Sequence, residues 1–184
     1  MKTALAFTLF VVAALAALKA APTPQWGAPA VPVIPEANGY ISIPNAAVRP
    51  DKNRTYRAIF DATGAAKEPT QLVPALNMAG AELNALATND VPLRNAKFAV
   101  VFHGPAINGI LDDSHYRAKY GMANPNLNVL AELKKAGVEI FVCGQNLARE
   151  NIDPKILSPD VVVASAAPIV LMTYQNDGYA LMSF

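Results

Sequence analysis

The chain alternates two kinds of segment from Thr55 onward, and this alternation is the strongest constraint on its fold. Short runs rich in β-favouring residues are separated by segments whose apolar residues recur at helical spacing. Strands that alternate with helices form βαβ units, whose crossovers are right-handed and whose sheet is parallel. The sequence therefore predicts a three-layer α/β/α sandwich with a mainly parallel five-stranded sheet.

The individual elements follow from the same pattern. Strands are predicted at Tyr56–Phe60, Lys97–His103, Val138–Cys143, Pro159–Ala164 and Tyr179–Ser183. Helices are predicted at Pro74–Thr88, from Asn124 to a stop at Gly137, at Gln145–Glu150 and at Pro168–Asn176. The second strand is continuous apolar sequence, which is typical of a parallel strand buried on both faces. The stretch Pro105–Ala123 shows no such pattern and is predicted to be a long irregular loop.

The first 20 residues have the pattern of a secretory signal peptide. Lys2 supplies the positive start, Thr3–Leu18 is mostly apolar, and small residues follow it. The apolar run is shorter than the ~20 residues that a spanning helix needs, which disfavours a retained anchor. We expect export with cleavage between Ala16 and Ala21, a periplasmic or secreted location, and no stable membrane span afterwards.

Residues 21–53 form a second region, which is distinguished by its prolines. They lie at Pro22, Pro24, Pro29, Pro32, Pro35, Pro44 and Pro50. Proline removes a backbone donor and favours extended chain, so we predict a tether or a surface-wrapping arm rather than part of the core. The remaining residues, 54–184, then form a single domain, and the 53% apolar content of the whole 184-residue chain is suited to one domain with a proper core.

The charge of the chain excludes one class of function. It has 15 basic and 14 acidic residues, and loss of Lys2 and Lys19 with the leader would leave 13 against 14. A nucleic-acid-binding domain needs a basic surface, which this balance does not provide. We therefore predict no nucleic-acid partner.

Cys143 is the first candidate for chemistry, because it is the only cysteine and ends the third predicted strand. It cannot form an internal disulfide, so in an exported protein it is a candidate reactive thiol. Gly144 keeps the following turn free of bulk. A helix that begins near Gln145 would point backbone donors towards a thiolate. The alternative is a buried cysteine that acts as a small apolar residue.

His103 is the second candidate, because it ends the second predicted strand just before Gly104. Ligands of open parallel sheets bind at the carboxyl ends of the strands, so His103 and Cys143 are expected on the same edge. If the two strands are neighbours, the imidazole could act as the thiolate's partner. The alternative is a structural hydrogen-bond donor. The sequence identifies no third group that would orient the histidine, so no hydrolytic triad is predicted.

The predicted loop contains further polar residues, among them Asp112, Asp113 and His115. Loops of this length are often binding loops or interface arms, so His115 is a candidate ligand-binding residue, as are Gly104, Gly144 and Gln145 at the ends of the strands. No second cluster matches these residues, so no metal site is predicted. Gly104-Pro105 lacks the glycine spacing of a nucleotide-binding turn, and no cofactor is predicted.

Three pieces of sequence, taken in order, resemble the DsrE/DsrF-like family. They are Lys-Phe-Ala-Val-Val-Phe-His-Gly-Pro from Lys97, Asn-Val-Leu-Ala-Glu-Leu-Lys-Lys-Ala-Gly-Val-Glu-Ile-Phe-Val-Cys-Gly-Gln from Asn128, and Gly178-Tyr179. The resemblance covers about Tyr56 to Phe184. It implies a DsrE-like fold, assembly into trimers or hexamers and, in the sulfur-relay members, a cysteine that carries sulfur as a persulfide. Cys143 matches the position of that cysteine.

Two functions of different kinds remain open. The first is an exported persulfide carrier that acts through Cys143 and exchanges sulfur with donor and acceptor proteins, an activity that is at most sulfurtransferase-like. The second is a non-catalytic, homo-oligomeric module of the periplasm that binds a small ligand or a neighbouring subunit.

Overall fold

The computed structural model describes residues 26–183, and the predicted signal peptide lies outside them. The strands are β1 (Tyr56–Ala62), β2 (Ala96–Phe102), β3 (Glu139–Cys143), β4 (Val162–Ala164) and β5 (Ala180–Ser183). The α-helices are α1 (Pro74–Thr88), α2 (Asp113–Tyr120), α3 (Asn126–Lys135), α4 (Gly144–Glu150) and α5 (Ala167–Asn176). Short 3-10 helices lie at Leu93–Asn95, Gly104–Ile110 and Pro154–Ile156.

The five strands form one sheet in the order β4-β3-β2-β1-β5, and every pairing is parallel. This confirms the predicted α/β sandwich. In the register of the three central strands, Phe102 lies opposite Ala62 on one side and Val142 on the other. The carboxyl ends of β1, β2 and β3 therefore lie side by side at one edge of the sheet.

The two faces of the sheet are covered unequally. The larger core lies on the face that α1 and α3 cover, and its fully buried residues include Phe60, Leu76, Leu83, Val100, Phe102, Leu130 and Leu133. The smaller core lies under α5 and contains Ile59, Ala99, Val101, Cys143, Ala167 and Val170. A single helix therefore closes the second face of a five-stranded sheet.

The proline-rich arm is held to the domain by one buried side chain, Asn84 of α1, which is fully inaccessible. Its Oδ1 accepts hydrogen bonds from the backbone N–H groups of Val33 and Ile34, each at 3.0 Å. Its Nδ2 donates to the carbonyls of Ile34 at 3.0 Å and Asn38 at 3.2 Å. A buried amide with partners for both its donor and its acceptor atoms is a strong local constraint. It fixes the path of the arm across α1.

The arm also contributes apolar side chains to the larger core, so the prediction that it stays outside the core is wrong for Ile34 and Ala37, which are both buried. The reason is a glycine in α1. A Cβ atom at Gly80 would lie 2.5 Å from the Ala37 Cβ and 3.1 Å from the Ile34 Cγ2. Because Gly80 has no side chain, the arm packs directly against the helix backbone.

The segment Pro105–Ala123 is not the predicted irregular loop. It contains the 3-10 helix Gly104–Ile110 and helix α2. Asp112 caps α2 by accepting a hydrogen bond from the His115 N–H at 2.8 Å, and Gly121 ends it with a left-handed φ of 74°. Only Tyr116 of α2 is buried, so the helix has no apolar stripe by which sequence periodicity could reveal it.

No helix within residues 26–183 is long and apolar enough to cross a membrane.

The Asn84 contacts predict how strongly the arm is bound. Asn84→Ala should lower the free energy of unfolding by roughly 2–4 kcal/mol, because it leaves the buried backbone groups of Val33 and Ile34 without partners. Asn77→Ala is the matched control, since Asn77 accepts a single exposed hydrogen bond from the Asn38 N–H, and it should cost about 1 kcal/mol or less. Urea unfolding measures both. Equal losses in the two variants would contradict the role assigned to Asn84.

Candidate functional site

The candidate site lies on the α5 side of the sheet, at the carboxyl ends of β1, β2 and β3. Side chains alternate between the faces of a strand, so residues two apart share a face. Asp61 lies two residues beyond Ile59, and His103 lies two beyond Val101, both of which belong to the core under α5. Cys143 belongs to that core itself. The topology therefore brings Asp61, His103 and Cys143 to one edge and one face.

The prediction that His103 and Cys143 share an edge of the sheet is confirmed, because β2 and β3 are parallel neighbours. Phe102 lies opposite Val142, and the extended backbone of His103 (φ −154°, ψ 171°) continues that register towards Cys143. Neighbouring strands lie about 4.8 Å apart. The imidazole and the thiol thus arise from adjacent positions of the sheet.

Asp61 orients His103, and the sequence did not reveal this partner. The Asp61 Oδ1 lies 2.6 Å from the His103 Nε2, and the two side chains are 19% and 29% exposed. The backbone N–H of His103 also donates to the Ala62 carbonyl at 3.0 Å. A carboxylate that is hydrogen-bonded to one ring nitrogen fixes the orientation of an imidazole. The available signal was that Asp61, like His103, lies at the carboxyl end of a strand.

Cys143 is enclosed rather than presented to solvent. Its relative exposure is 6%, and Ala167 and Val170 of α5 belong to the apolar cluster that surrounds it. Within residues 26–183 its Sγ accepts no hydrogen bond from the start of α4. The Gln145 N–H was predicted to point towards a Cys143 thiolate, but it donates instead to the Ser165 carbonyl at 3.2 Å. The thiol thus lies at the same edge and on the same face of the sheet as His103 and Asp61, but beneath a helix, and within residues 26–183 it forms no hydrogen bond with His103.

Gly144 is needed for the close approach of two connections. A Cβ atom at this position would lie 2.7 Å from the Ala164 carbonyl oxygen and 3.3 Å from the Val163 Cγ1. The turn that follows Cys143 therefore packs against the end of β4 with no space for a side chain. Gly144 has a steric role here, whereas the Gln145 side chain is exposed.

Asn146 links the ends of β2 and β3. Its Oδ1 accepts a hydrogen bond from the Gly104 N–H at 2.6 Å, and its Nδ2 donates to Glu150 in the next turn of α4. Gly104 adopts a left-handed φ of 57°, which glycine tolerates without strain. Because its N–H is already paired, Gly104 holds the loop after His103 in place rather than offering a free donor to a ligand.

His115 lies on α2, not in a loop, and its polar contacts are local. Its Nδ1 lies 2.8 Å from the Asp112 Oδ1 and 3.2 Å from the Ser114 Oγ. The backbone and side-chain hydrogen bonds from His115 lower the pKa of Asp112 to about 2. This arrangement is that of a helix cap. Within the described residues, no group of three His, Cys, Asp or Glu side chains is placed to hold a metal ion.

A second polar contact joins α5 to the sheet beside the site. The Tyr174 hydroxyl of α5 donates to the Glu139 Oε2 at 2.8 Å, and its ring contacts those of Phe141 and Tyr179. Burial, reinforced by this carboxylate, raises the pKa of Tyr174. The hydroxyl therefore remains a hydrogen-bond donor, and α5 is held over Cys143 by a polar contact as well as by apolar packing.

These features define a class: a parallel α/β domain whose candidate chemistry lies at the carboxyl edge of three central strands. The chain matches the model of the DsrE/DsrF-like family over residues 57–184. The protein belongs to this family, as its sequence motifs predicted.

Solved structures agree with the fold. The chain is similar to a protein of unknown function, MTH1491 from Methanobacterium thermoautotrophicum, at 19% identity and a TM-score of 0.53, over 70% of this chain and 99% of that one. It is also similar to the ychN protein from E. coli at 16% identity and a TM-score of 0.52, over 71% and 100% of the chains. At these identities the similarity concerns the fold alone. A comparison with curated proteins found no match.

Gly144→Ala distinguishes the steric role of Gly144 from its effect on helix propensity, because the two predict opposite changes in the free energy of unfolding. Alanine is a better helix former than glycine by about 1 kcal/mol, so propensity alone predicts that Gly144→Ala stabilises the protein. The contact with the Ala164 carbonyl predicts instead a loss of roughly 1–3 kcal/mol in the free energy of unfolding. Thermal unfolding measures the change. Gly27→Ala is the control, since its Cβ would have no neighbour within 4 Å; stabilisation by Gly144→Ala would refute the steric role.

Proposed function

We propose that the protein is an exported sulfur carrier that holds sulfur as a persulfide on Cys143. The observation that carries the proposal is that Cys143 and the hydrogen-bonded pair of His103 and Asp61 lie at one edge and on one face of the sheet. A thiol beside an oriented imidazole is the arrangement that activates a sulfur nucleophile. Family membership and the position of Cys143 after its strand support the same function. The pattern of the first 20 residues supports a periplasmic or secreted location.

The reaction requires only a proton relay and one sulfur exchange. His103 takes the thiol proton, with Asp61 stabilising the imidazolium, and the Cys143 thiolate attacks the outer sulfur of a donor persulfide. The sulfur–sulfur bond of the donor breaks as the new one forms on Cys143. The donor leaves as a thiolate, and His103 returns the proton to it. There is no net oxidation, because one persulfide and one thiol become another persulfide and thiol.

Access to the thiol sets a condition on this function. Ala167 and Val170 cover Cys143, so a donor reaches it only when the amino-terminal end of α5 moves away from the sheet. The same cover would protect a persulfide from the oxidants of an exported environment. The carrier function therefore combines a shielded resting state with an open state for transfer.

Intact mass provides the test. Protein isolated from its own compartment should begin between Ala17 and Pro22, and a fraction of it should carry the mass of one added sulfur atom that reductant removes. Cys143→Ser should abolish the added sulfur without unfolding the protein, because serine is nearly isosteric.

Asp61→Asn should slow loading from a small-molecule persulfide about 10- to 100-fold, because the imidazolium loses its partner.

Asp177→Asn is the matched control for the carboxylate, because Asp177 is exposed near the end of α5 and should load at the wild-type rate. Retention of Met1 would refute export. If Cys143 took up no sulfur from a donor and reacted with alkylating reagents only after unfolding, the carrier function would be refuted.

A second candidate, a non-catalytic homo-oligomeric binding module, is favoured by the enclosure of Cys143 together with the surface around α5. That surface exposes Ile169 and Met172 on α5, Val162 on β4 and Leu181 on β5, each 44–55% accessible. Val162 and Leu181 pair with Phe141 and Ile59, so alternation places both on the α5 face. One helix is too narrow to cover the outer strands, and a contiguous apolar surface of this kind is typical of an interface.

Light scattering tests this association. The protein should form a trimer or hexamer, and Met172→Lys should weaken it strongly, because a charge would be buried in the interface. Leu93→Lys is the control, since Leu93 is exposed outside the α5 surface and its substitution should leave the assembly unchanged. A monomer at high micromolar concentration would contradict the association.

A further inference from the structure

A cavity of about 360 Å³ lies beside the edge strand β5, on the face of the sheet that α1 covers. It is formed near the start of β1, whereas Cys143 and His103 lie at the carboxyl ends of their strands and on the other face. The cavity is therefore separate from the candidate site described above.

The floor of the cavity is apolar. It is made by Ala58, Phe60, Phe98, Leu86 and Met182, which belong to or pack against the larger core. The rings of Phe60 and Phe98 meet edge to face, with centroids 5.3 Å apart. The cavity opens towards β5, because α1 packs mainly over β1 and β2, whereas β5 contacts α5 on the other face of the sheet. An apolar ligand group seated here would displace water from the partly accessible Tyr56, Ala180 and Met182, beneath which Phe60 and Phe98 are buried.

The rim of the cavity is cationic, because Arg49 and Arg54 line it. Neither arginine forms an ion pair within residues 26–183. The Arg54 guanidinium carbon lies 5.9 Å from the centroid of the Tyr56 ring, which also lines the cavity. An aromatic face holds a guanidinium in position while leaving its N–H donors available. Arg57 also borders the cavity, but it does not contribute to the cationic rim, because alternation along β1 places its side chain on the opposite face of the sheet with Ile59.

The loop that carries these arginines is fixed to the domain. The Asp51 N–H donates to the Tyr56 hydroxyl at 2.7 Å, and the Asn95 Nδ2 donates to the Lys52 carbonyl at 3.1 Å. Within the loop, the Arg54 N–H donates to the Asp51 carbonyl at 3.0 Å. A rim held by hydrogen bonds from two other parts of the chain presents its charges in a preformed arrangement, which lowers the entropic cost of binding.

One carboxyl group also lines the cavity, and its negative charge would offset part of the positive charge of the two arginines. Glu82 lies on α1, and burial raises its pKa from the ordinary value, which favours the neutral form. With Glu82 ionised the lining carries two positive charges and one negative charge. With Glu82 neutral it carries two positive charges alone. In either state the net charge of the lining is positive, so the cavity attracts an anion.

We propose that this cavity binds a small organic anion with an apolar body, a carboxylate of about eight carbons, whose head group lies between Arg49 and Arg54. The size is set by the volume, which is at the lower end of the 300–1,000 Å³ that is typical of ligand sites. The orientation is set by the cationic rim and the apolar floor. Guanidinium groups form charge-assisted hydrogen bonds with carboxylates, and the chain or ring of the ligand covers the partly accessible Ala180 and Met182.

Calorimetric titration of the protein, purified as the cell produces it, tests this site with octanoate, 3-phenylpropionate and octylammonium. Either carboxylate should bind at one site per chain, and the stronger of the two shows whether the body is a straight chain or a ring. Octylammonium has the same chain and the opposite charge, and it should not bind. The double variant with Arg49→Gln and Arg54→Gln should bind the carboxylates about tenfold more weakly.

Two further variants complete the test. Ala180→Phe fills the open side of the cavity from an exposed position on β5 and should abolish binding while the protein still unfolds cooperatively. Arg94→Gln removes an exposed arginine outside the cavity and should leave the affinity unchanged. Equal binding of octanoate and octylammonium, or undiminished binding by the double arginine variant, would overturn the proposal. A third outcome would also overturn it: the wild-type protein binds neither carboxylate, and Ala180→Phe dissociates its oligomer. A second copy of the chain would then occupy the cavity.

Discussion

The parallel, in-register pairing of β1, β2 and β3 is the constraint on which the rest of the structure depends. Each central strand is hydrogen-bonded and mostly buried, so a shift of one residue would turn core side chains towards the opposite face. The same register brings the last residues of the three strands to one edge. The placement of Asp61, His103 and Cys143 at one edge is thus a consequence of sheet pairing, because they belong to the ends of three different strands and no local contact in the chain would bring them together.

The unequal cover of the sheet connects the fold with its proposed functions. The face under α1 and α3 is closed by two helices, of 15 and ten residues, and by the arm, and it contains most of the large buried side chains. The face under α5 is closed by one helix of ten residues, which lies over Cys143. The helix that encloses the thiol is therefore also the helix that exposes Ile169 and Met172. Association at this surface, as proposed, would change how readily the cover opens, and assembly would then be coupled to access to Cys143.

The parts of the fold that sequence could predict are those with a strong repeating signal. Helix α1 was predicted at its observed bounds, because Leu76, Ala79, Leu83 and Leu86 repeat at helical spacing after a proline. Placement of His103 and Cys143 at one edge required only strand ends and the rule for parallel sheets. Helix α2 was missed because it is short and buries one residue. Asp61 was missed because its role depends on a contact between strands, and the role of Asn84 depends on 50 residues of intervening chain.

The insertion of Ile34 and Ala37 against Gly80 changes where this protein can be divided. The family match begins at residue 57, so the strands and helices that define the family lie outside the arm. A recombinant fragment cut at that boundary would lose only Tyr56 from the sheet, yet it would leave an apolar notch on α1 and a buried amide facing water. Such a fragment would be prone to aggregate through the uncovered helix. The smallest self-sufficient piece of this chain therefore starts before Ala30, where the arm's antiparallel bridge to Tyr40 begins.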